Sequence, residues 1–307
     1  MGYYGSRQTV SLPLYYIPKG CAPLKLSALA TKTTPLLPLL CCPLCGQGFI
    51  LRDQQSLVCE ARHCFDLSTH GYINLAPQHN QETEKYNKAL FDSRQRIFAG
   101  GFYTALVHKL NEIISNCFTS QQPFTLLDAG CGEGYYARQL TDHFPIATVL
   151  GMDISRAAIV AAAKQSRQPH WFVGNLGRLP LADHSINTIL NLLTPADYSE
   201  FNRVLAPNGL LIKVIPGIRY LQEIRAAITS ALRSTAYSNE RVVTHLSSHM
   251  RIVGQHTLEQ TFPVSKEEAS CFFRMTPMTF SLAEDSLSEI ALSHITIHLE
   301  VLVCEVL

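Results

Sequence analysis

The 307-residue sequence predicts an α/β fold, a mostly parallel sheet covered by helices, with a small Cys- and His-rich module in front of it. Three observations predict it. From residue 124 onward, short apolar stretches alternate with helix-like ones. The first of these apolar stretches runs straight into a glycine loop, LLDAGCGEGYY. Upstream lie two short knuckles, CPLC and CEARH, inside a segment of residues 41–80.

Taken in chain order, residues 1–40 carry Arg7, Lys19, Lys25 and Lys32 but no acidic residue, and Pro35 and Pro38 interrupt the apolar run TPLLPLL. That run is too short for a membrane span and has no small-residue cleavage site. The expectation is a disordered leader, from a start codon placed too far upstream. Residues 41–80 contain the strand-like pieces FILRD and SLVCE around the knuckles. Residues 81–120 read as a helical linker: KYNKALFDSRQRIFAGG stops at a glycine pair, and FYTALVHKLNEIISNCF has apolar residues at helical spacing. Residues 121–307 then form the main domain. Its strands are FTLLDA, ATVLGMD, WFVGN, INTILNLL, GLLIKVIPG and HITIHLEVLVCEV, and its helices include SRAAIVAAAKQ and LQEIRAAITSALR.

With 25 basic and 24 acidic residues the formal net charge is +1, so bulk charge argues neither for nor against a nucleic-acid partner. No apolar run reaches the length of a membrane span, and none is expected. The ten cysteines are too sparse in so long a chain for a disulfide framework. They point to a reducing, cytoplasmic setting with one metal site.

In LLDAGCGEGYY the strand ends at Asp128 and turns through Gly130, Gly132 and Gly134. Glycines allow the sharp turn and a close ligand approach, and the next helix offers its first amides. The following strand ends at Asp153, where a carboxylate can take both hydroxyls of a ribose. A dinucleotide fingerprint would put a third glycine at Tyr135, so that pattern fails. The G-x-G-x-G spacing after Asp128 looks like the first motif of class I, Rossmann-like methyltransferases, whose loop wraps the amino-acid end of S-adenosylmethionine. In that layout Asn175, after the third strand, either bonds the adenine or caps its own loop, with Leu176 packing on the ring. Asp183 opens the turn into the fourth strand, and NLLTPADY at that strand's end meets the methyl acceptor.

Cys42, Cys45, Cys59 and His63 make a C-x2-C and a C-x3-H pair, the ligand types and spacing of tetrahedral zinc. Four protein ligands leave no open position, so the zinc would be structural, supplying folding energy to a module too small for its own core. Cys41 and Cys64 are the neighbouring alternatives.

CPLC, CEARHCFDLSTHGYINLAP, AGGFYTAL, LDAGCGEGYY, GRLPL, RVLAPNG, PGIRYLQEI and RMTP together resemble the 23S ribosomal RNA guanine-N1 methyltransferases over roughly residues 41–305. NLLTPADYSEFNRVL and HITIHLEVLV look more like the Gram-positive branch of that family. The resemblance implies a zinc module joined to an S-adenosylmethionine-dependent domain that methylates a guanine in a hairpin loop of 23S ribosomal RNA. It places Cys42, Cys45, Cys59 and His63 on the zinc ligands and Tyr103, Tyr136 and Ala137 on cofactor contacts. Tyr220 falls where some members carry a cofactor-contacting histidine. A homodimer stays open as its assembly.

Methyl transfer to N1 needs alignment and the loss of the N1 proton. Glu133 and Asp197 are the carboxylates at hand. Asp197 equally suits the cap of a helix starting at Tyr198, so no catalytic base is assigned. Tyr72, Phe102, Tyr103 and Tyr198 are the aromatics that could hold a splayed base, and Arg62, Lys85, Lys88, Arg94 and Arg96 are the nearest cations for phosphates. Two other readings compete: a class I methyltransferase for a small molecule or another RNA, which would not need the zinc module, and a non-catalytic zinc adaptor, which would not need an intact Asp128, glycine loop and Asp153.

Overall fold

The computed structural model describes residues 24–77, 88–118, 121–228, 238–280 and 291–307. The chain enters through α1 (Leu26–Thr33) and a 3-10 turn (Thr34–Leu39). Three antiparallel strands follow, β1 (Ile50–Arg52), β2 (Ser56–Val58) and β3 (Cys64–Ser68), with β4 (Tyr72–Asn74) paired to β3 by a hairpin. Helices α2 (Lys88–Ala99) and α3 (Thr104–Cys117) lead into the main sheet and part at the Gly100–Gly101 pair, as the sequence predicts.

The main sheet has β7 (His170–Val173), β6 (Thr148–Asp153), β5 (Thr125–Ala129), β8 (Ile186–Leu192) and β9 (Leu205–Pro216) side by side and parallel. The last strand of the chain, β11 (His294–Val306), runs antiparallel beside β9, and β10 (Met250–Pro263) closes that edge antiparallel to β11. Strands buried on both faces read as continuous apolar runs, which is why LL and NTILNL were legible. Their residues alternate between two cores: Leu126 and Leu190 face one, Leu127 and Ile189 the other. Helices α4 (Tyr135–His143) and α5 (Arg156–Gln165) cover it between strands, and α6 (Tyr198–Val204) and α7 (Gln222–Ala227) flank β9. Helix α8 (Glu240–Ser247) precedes β10 and α9 (Lys266–Met275) follows it.

Three expectations change. Residues 24–40 are not an irregular leader: Leu29, Ala30 and Thr33 of α1 are buried, and so are Leu36 and Leu40. These apolar positions recur at helical spacing and join the second core, an amphipathic signal that the lack of acidic residues masked. The rest of the expected leader lies outside the described residues. The module 41–80 is not separate either: β4 pairs in parallel with β7, Tyr72 opposite Trp171, so the Cys/His module is the edge of one eleven-stranded sheet. The third change is β10. Its fourteen residues form a strand that the reading of the sequence did not single out, although its alternating half-exposed positions carry the period of two.

Candidate functional site

The glycine loop leaves β5 at Ala129 and enters α4 with Gly134 as its N-cap in the left-handed region (φ +75°). Glycine is needed there because a Cβ would drive into the ring of Trp171. Gly130 (φ +82°) is equally constrained, since a Cβ would lie 2.7 Å from the side chain of Thr194. Asp153 at the end of β6 accepts from Gly132 N at 2.9 Å and Ser155 N at 2.8 Å, which ties the second acidic strand end to the loop of the first.

Above these strand ends lies a cavity of about 450 Å³. Asp128, Gly130, Gly132, Glu133, Tyr136, Asp153, Tyr103 and Tyr220 all line it. Burial pushes Asp128 up to about 7, with Asp153 and Glu133 adding repulsion and a hydrogen bond from Ala137 N opposing it. Burial also raises Asp153, whose hydrogen bonds from Ser155 and Gly132 pull the other way, and it holds the phenols of Tyr103 and Tyr136 well above their usual range. Asp128 Oδ2, Glu133 Oε1 and Tyr136 OH are buried without a hydrogen-bond partner. Such atoms cost free energy unless a ligand meets them. Two carboxylate oxygens and a phenol suit a ligand with an ammonium and hydroxyls, which S-adenosylmethionine carries.

Other predicted residues sit differently. Ala137 is fully buried behind the loop and does not line the cavity; its amide supports Asp128. Asn175 does not line it either: its Oδ1 accepts from Gly177 N at 2.9 Å, the loop-capping alternative. Asp197 accepts from Glu200 N as the N-cap of α6. Of the proposed base-holding aromatics only Tyr103 faces the cavity. Phe102 packs against Phe262 and Phe272, Tyr198 lies in the second core, and the Tyr72 hydroxyl accepts from Arg156 Nε at 3.1 Å.

Tyr103 OH and Tyr220 OH meet at 2.7 Å on the cavity wall. Helix α2 adds what the sequence did not reveal. Its Phe98 stacks on Tyr135 with ring centroids 4.2 Å apart, and its Arg94 reaches Glu133 at 3.2 Å. An i, i+4 pair in RQRIF was the available signal, but only tertiary contact says which face turns to the cofactor. Among the other cations, Arg96 pairs with Glu267 at 2.6 Å and Arg62 is exposed, while Lys85 lies outside the described residues.

In the N-terminal module the ligand atoms of Cys42, Cys45, Cys59 and His63 all lie within 4.8 Å of one another. Cys42 Sγ is 3.5 Å and Cys59 Sγ 3.4 Å from His63 Nδ1, and Cys45 and Cys59 sulfurs are 3.6 Å apart. Ligands about 2.0–2.3 Å from a tetrahedral zinc have edges of this size. Cys64 is outside the group and is contacted by Arg52 at 3.4 Å. Among the described residues no helix is long and apolar enough to cross a membrane.

The sheet order, the acid-lined glycine loop and the Cys/His cluster define a class I S-adenosylmethionine-dependent methyltransferase with one structural zinc. Residues 40–84 match the family described as RlmA, N-terminal, and residues 126–209 the family described as Methyltransferase domain. A Bacillus subtilis (strain 168) protein provisionally named 23S rRNA (guanine-N(1)-)-methyltransferase YxjB is 31% identical over 85% of this chain and 95% of its own. The 23S rRNA (guanine(748)-N(1))-methyltransferase of Streptomyces fradiae is 26% identical over 80% of this chain and 88% of its own. The chain belongs to the 23S rRNA (guanine-N1)-methyltransferase family. By contrast, a malonyl-[acyl-carrier protein] O-methyltransferase of Gallionella capsiferriformans (strain ES-2), 34% identical, matches only 34% of this chain.

Proposed function

We propose that this protein methylates N1 of a guanine in a hairpin loop of 23S ribosomal RNA, in the cytoplasm. What carries the reading is that its rRNA-modifying relatives match it through both modules, whereas the carrier-protein methyltransferase shares only a part. A small substrate would not by itself explain the Cys/His module.

S-adenosylmethionine bound in the cavity supplies an electrophilic methyl group on a sulfonium. Asp153 receives the ribose hydroxyls, and the unpartnered Asp128 Oδ2 and Glu133 Oε1 receive the ammonium. Tyr103, Tyr136 and Tyr220 close the cavity over it. Phe98 and Tyr135, already stacked, exclude water from the α2 side. The target guanine leaves its stack to reach this cavity. Asp197 spends its carboxylate on α6, and Glu133 spends its own on Arg94 and the ammonium, so no catalytic base is assigned. Cys42, Cys45, Cys59 and His63 hold the zinc that fixes the module.

The test is primer extension on ribosomal RNA from cells with and without the gene. An N1 methyl blocks Watson–Crick pairing, so a gene-dependent stop in a 23S hairpin loop is expected. No such stop, with methylation of a metabolite by the purified enzyme, would overturn the RNA assignment.

A further inference from the structure

A second cavity, also about 450 Å³, lies beside the cofactor cavity at the ends of β8 and β9. The two share Leu193, Thr194, Pro195 and Pro216, so a ridge one loop thick separates them. The ridge is rigid. Asn191, fully buried, donates to Ala129 O at 3.3 Å and Pro195 O at 3.0 Å. Lys213, only 4% exposed, donates to Thr194 O at 2.6 Å and to the Asn191 side chain. Leu193 sits in the left-handed region (φ +54°), and its amide donates to Val214 O at 3.0 Å.

The cavities differ in charge. The first is lined by three carboxylates, Asp128, Glu133 and Asp153, with Arg94 and Arg225. The second is lined by Lys213, Arg241 and His245 and by no carboxylate. Arg241 is exposed and makes no ion pair among the described residues. The His245 ring is exposed too, packed 5.3 Å from the Tyr198 ring and 4.6 Å from the ring of His249. At the rim Leu193 is 38% and Val242 40% exposed, an apolar edge beside a cationic one. A flat ring to stack on, a guanidinium free for an anion and apolar rims together describe a site for one nucleotide of a single strand.

We propose that this second cavity is a subsite for an RNA nucleotide flanking the methylated guanine, its base against His245 and its phosphate on Arg241. It rests on the RNA reading above. Successive nucleotides of one loop then occupy successive cavities, and the fixed ridge sets which of them meets the cofactor.

The experiment uses the full-length zinc-loaded protein and 23S hairpin transcripts. Wild type, Arg241→Gln and His245→Ala are compared for S-adenosylmethionine affinity, for kcat and KM on RNA, and for the salt dependence of RNA binding. The expected result is unchanged cofactor affinity with KM for RNA raised about tenfold in Arg241→Gln. The slope of log affinity on log salt should become shallower by about 0.7, one single-strand phosphate. A methylphosphonate scan of the two phosphates on either side of the target should find one position whose loss does not add to that of Arg241→Gln. Losses that add at every position, or an unchanged KM, overturn the subsite while guanine methylation persists. If wild type methylates no hairpin RNA at all, the RNA reading fails and the subsite falls with it.

Discussion

Asp128 shows how a buried carboxylate depends on its ligand. With no partner on Oδ2 and two acidic neighbours, burial lifts it from 3.8 to about 7. A folded-state value raised above the unfolded one stabilises the fold below pH 4 and loses that contribution as pH rises towards 7. The ligand ammonium wants the opposite, an ionised Asp128. Calorimetry across pH 6 to 8 should therefore show cofactor affinity rising with pH, and Asp128→Asn should flatten the rise; a wild-type profile flat over that range counts against the pairing. Asp153→Ala should weaken S-adenosylmethionine binding by about 1–3 kcal/mol, because the ribose hydroxyls lose their acceptor; calorimetry at one pH measures it. These residues were legible because chain order fixes them: an acid at a strand end before G-x-G-x-G, and another at the next strand end. Phe98 was not, because it reaches the cavity only when α2 packs against α9, and Arg94, read only as a cation for phosphates, is brought there to Glu133 by the same packing. For Asn175 two readings stood open: its Oδ1 caps the loop through the Gly177 amide at 2.9 Å, and an adenine bond from its side-chain amide stays a proposal.

Among the elements, the parallel strands were read correctly since burial on both faces leaves unbroken apolar runs. The β4–β7 pairing was not, since three residues, YIN, carry no mark of their partner about a hundred positions away. Helix α1 was missed because its exposed side is Ser27, Ala28 and Thr31, with no acidic residue to mark it. Its cost is measurable. Leu29→Ala should lower stability by about 2–5 kcal/mol, the usual range for a buried leucine, read by denaturant titration. A chain beginning at residue 36 would lack α1 entirely, and the buried Leu29 and Ala30 predict a lower melting temperature rather than a silent deletion. An unchanged midpoint for both would mean that α1 contributes no packing.

For the whole molecule, the shared sheet predicts that the zinc module and the catalytic domain unfold as one cooperative unit. Protein purified without added metal should carry about one equivalent of zinc by elemental analysis, and Cys42→Ser or His63→Ala should lower it. Because β3 and β4 continue into β7, calorimetry of the Cys42→Ser protein should show a single transition moved down in temperature. Two separate transitions, with the upper one unmoved, would mean that the module melts alone.

The β4–β7 pairing has a further consequence. Bare strand edges recruit other chains, and proteins guard them. Here the guard over β7 is held in place by a cluster built for a metal. A newly made chain that finds no zinc would present the unpaired amides and carbonyls of β7 to its neighbours, so metal supply would govern how much of this protein reaches the folded pool and how much goes to chaperones, proteases or aggregates.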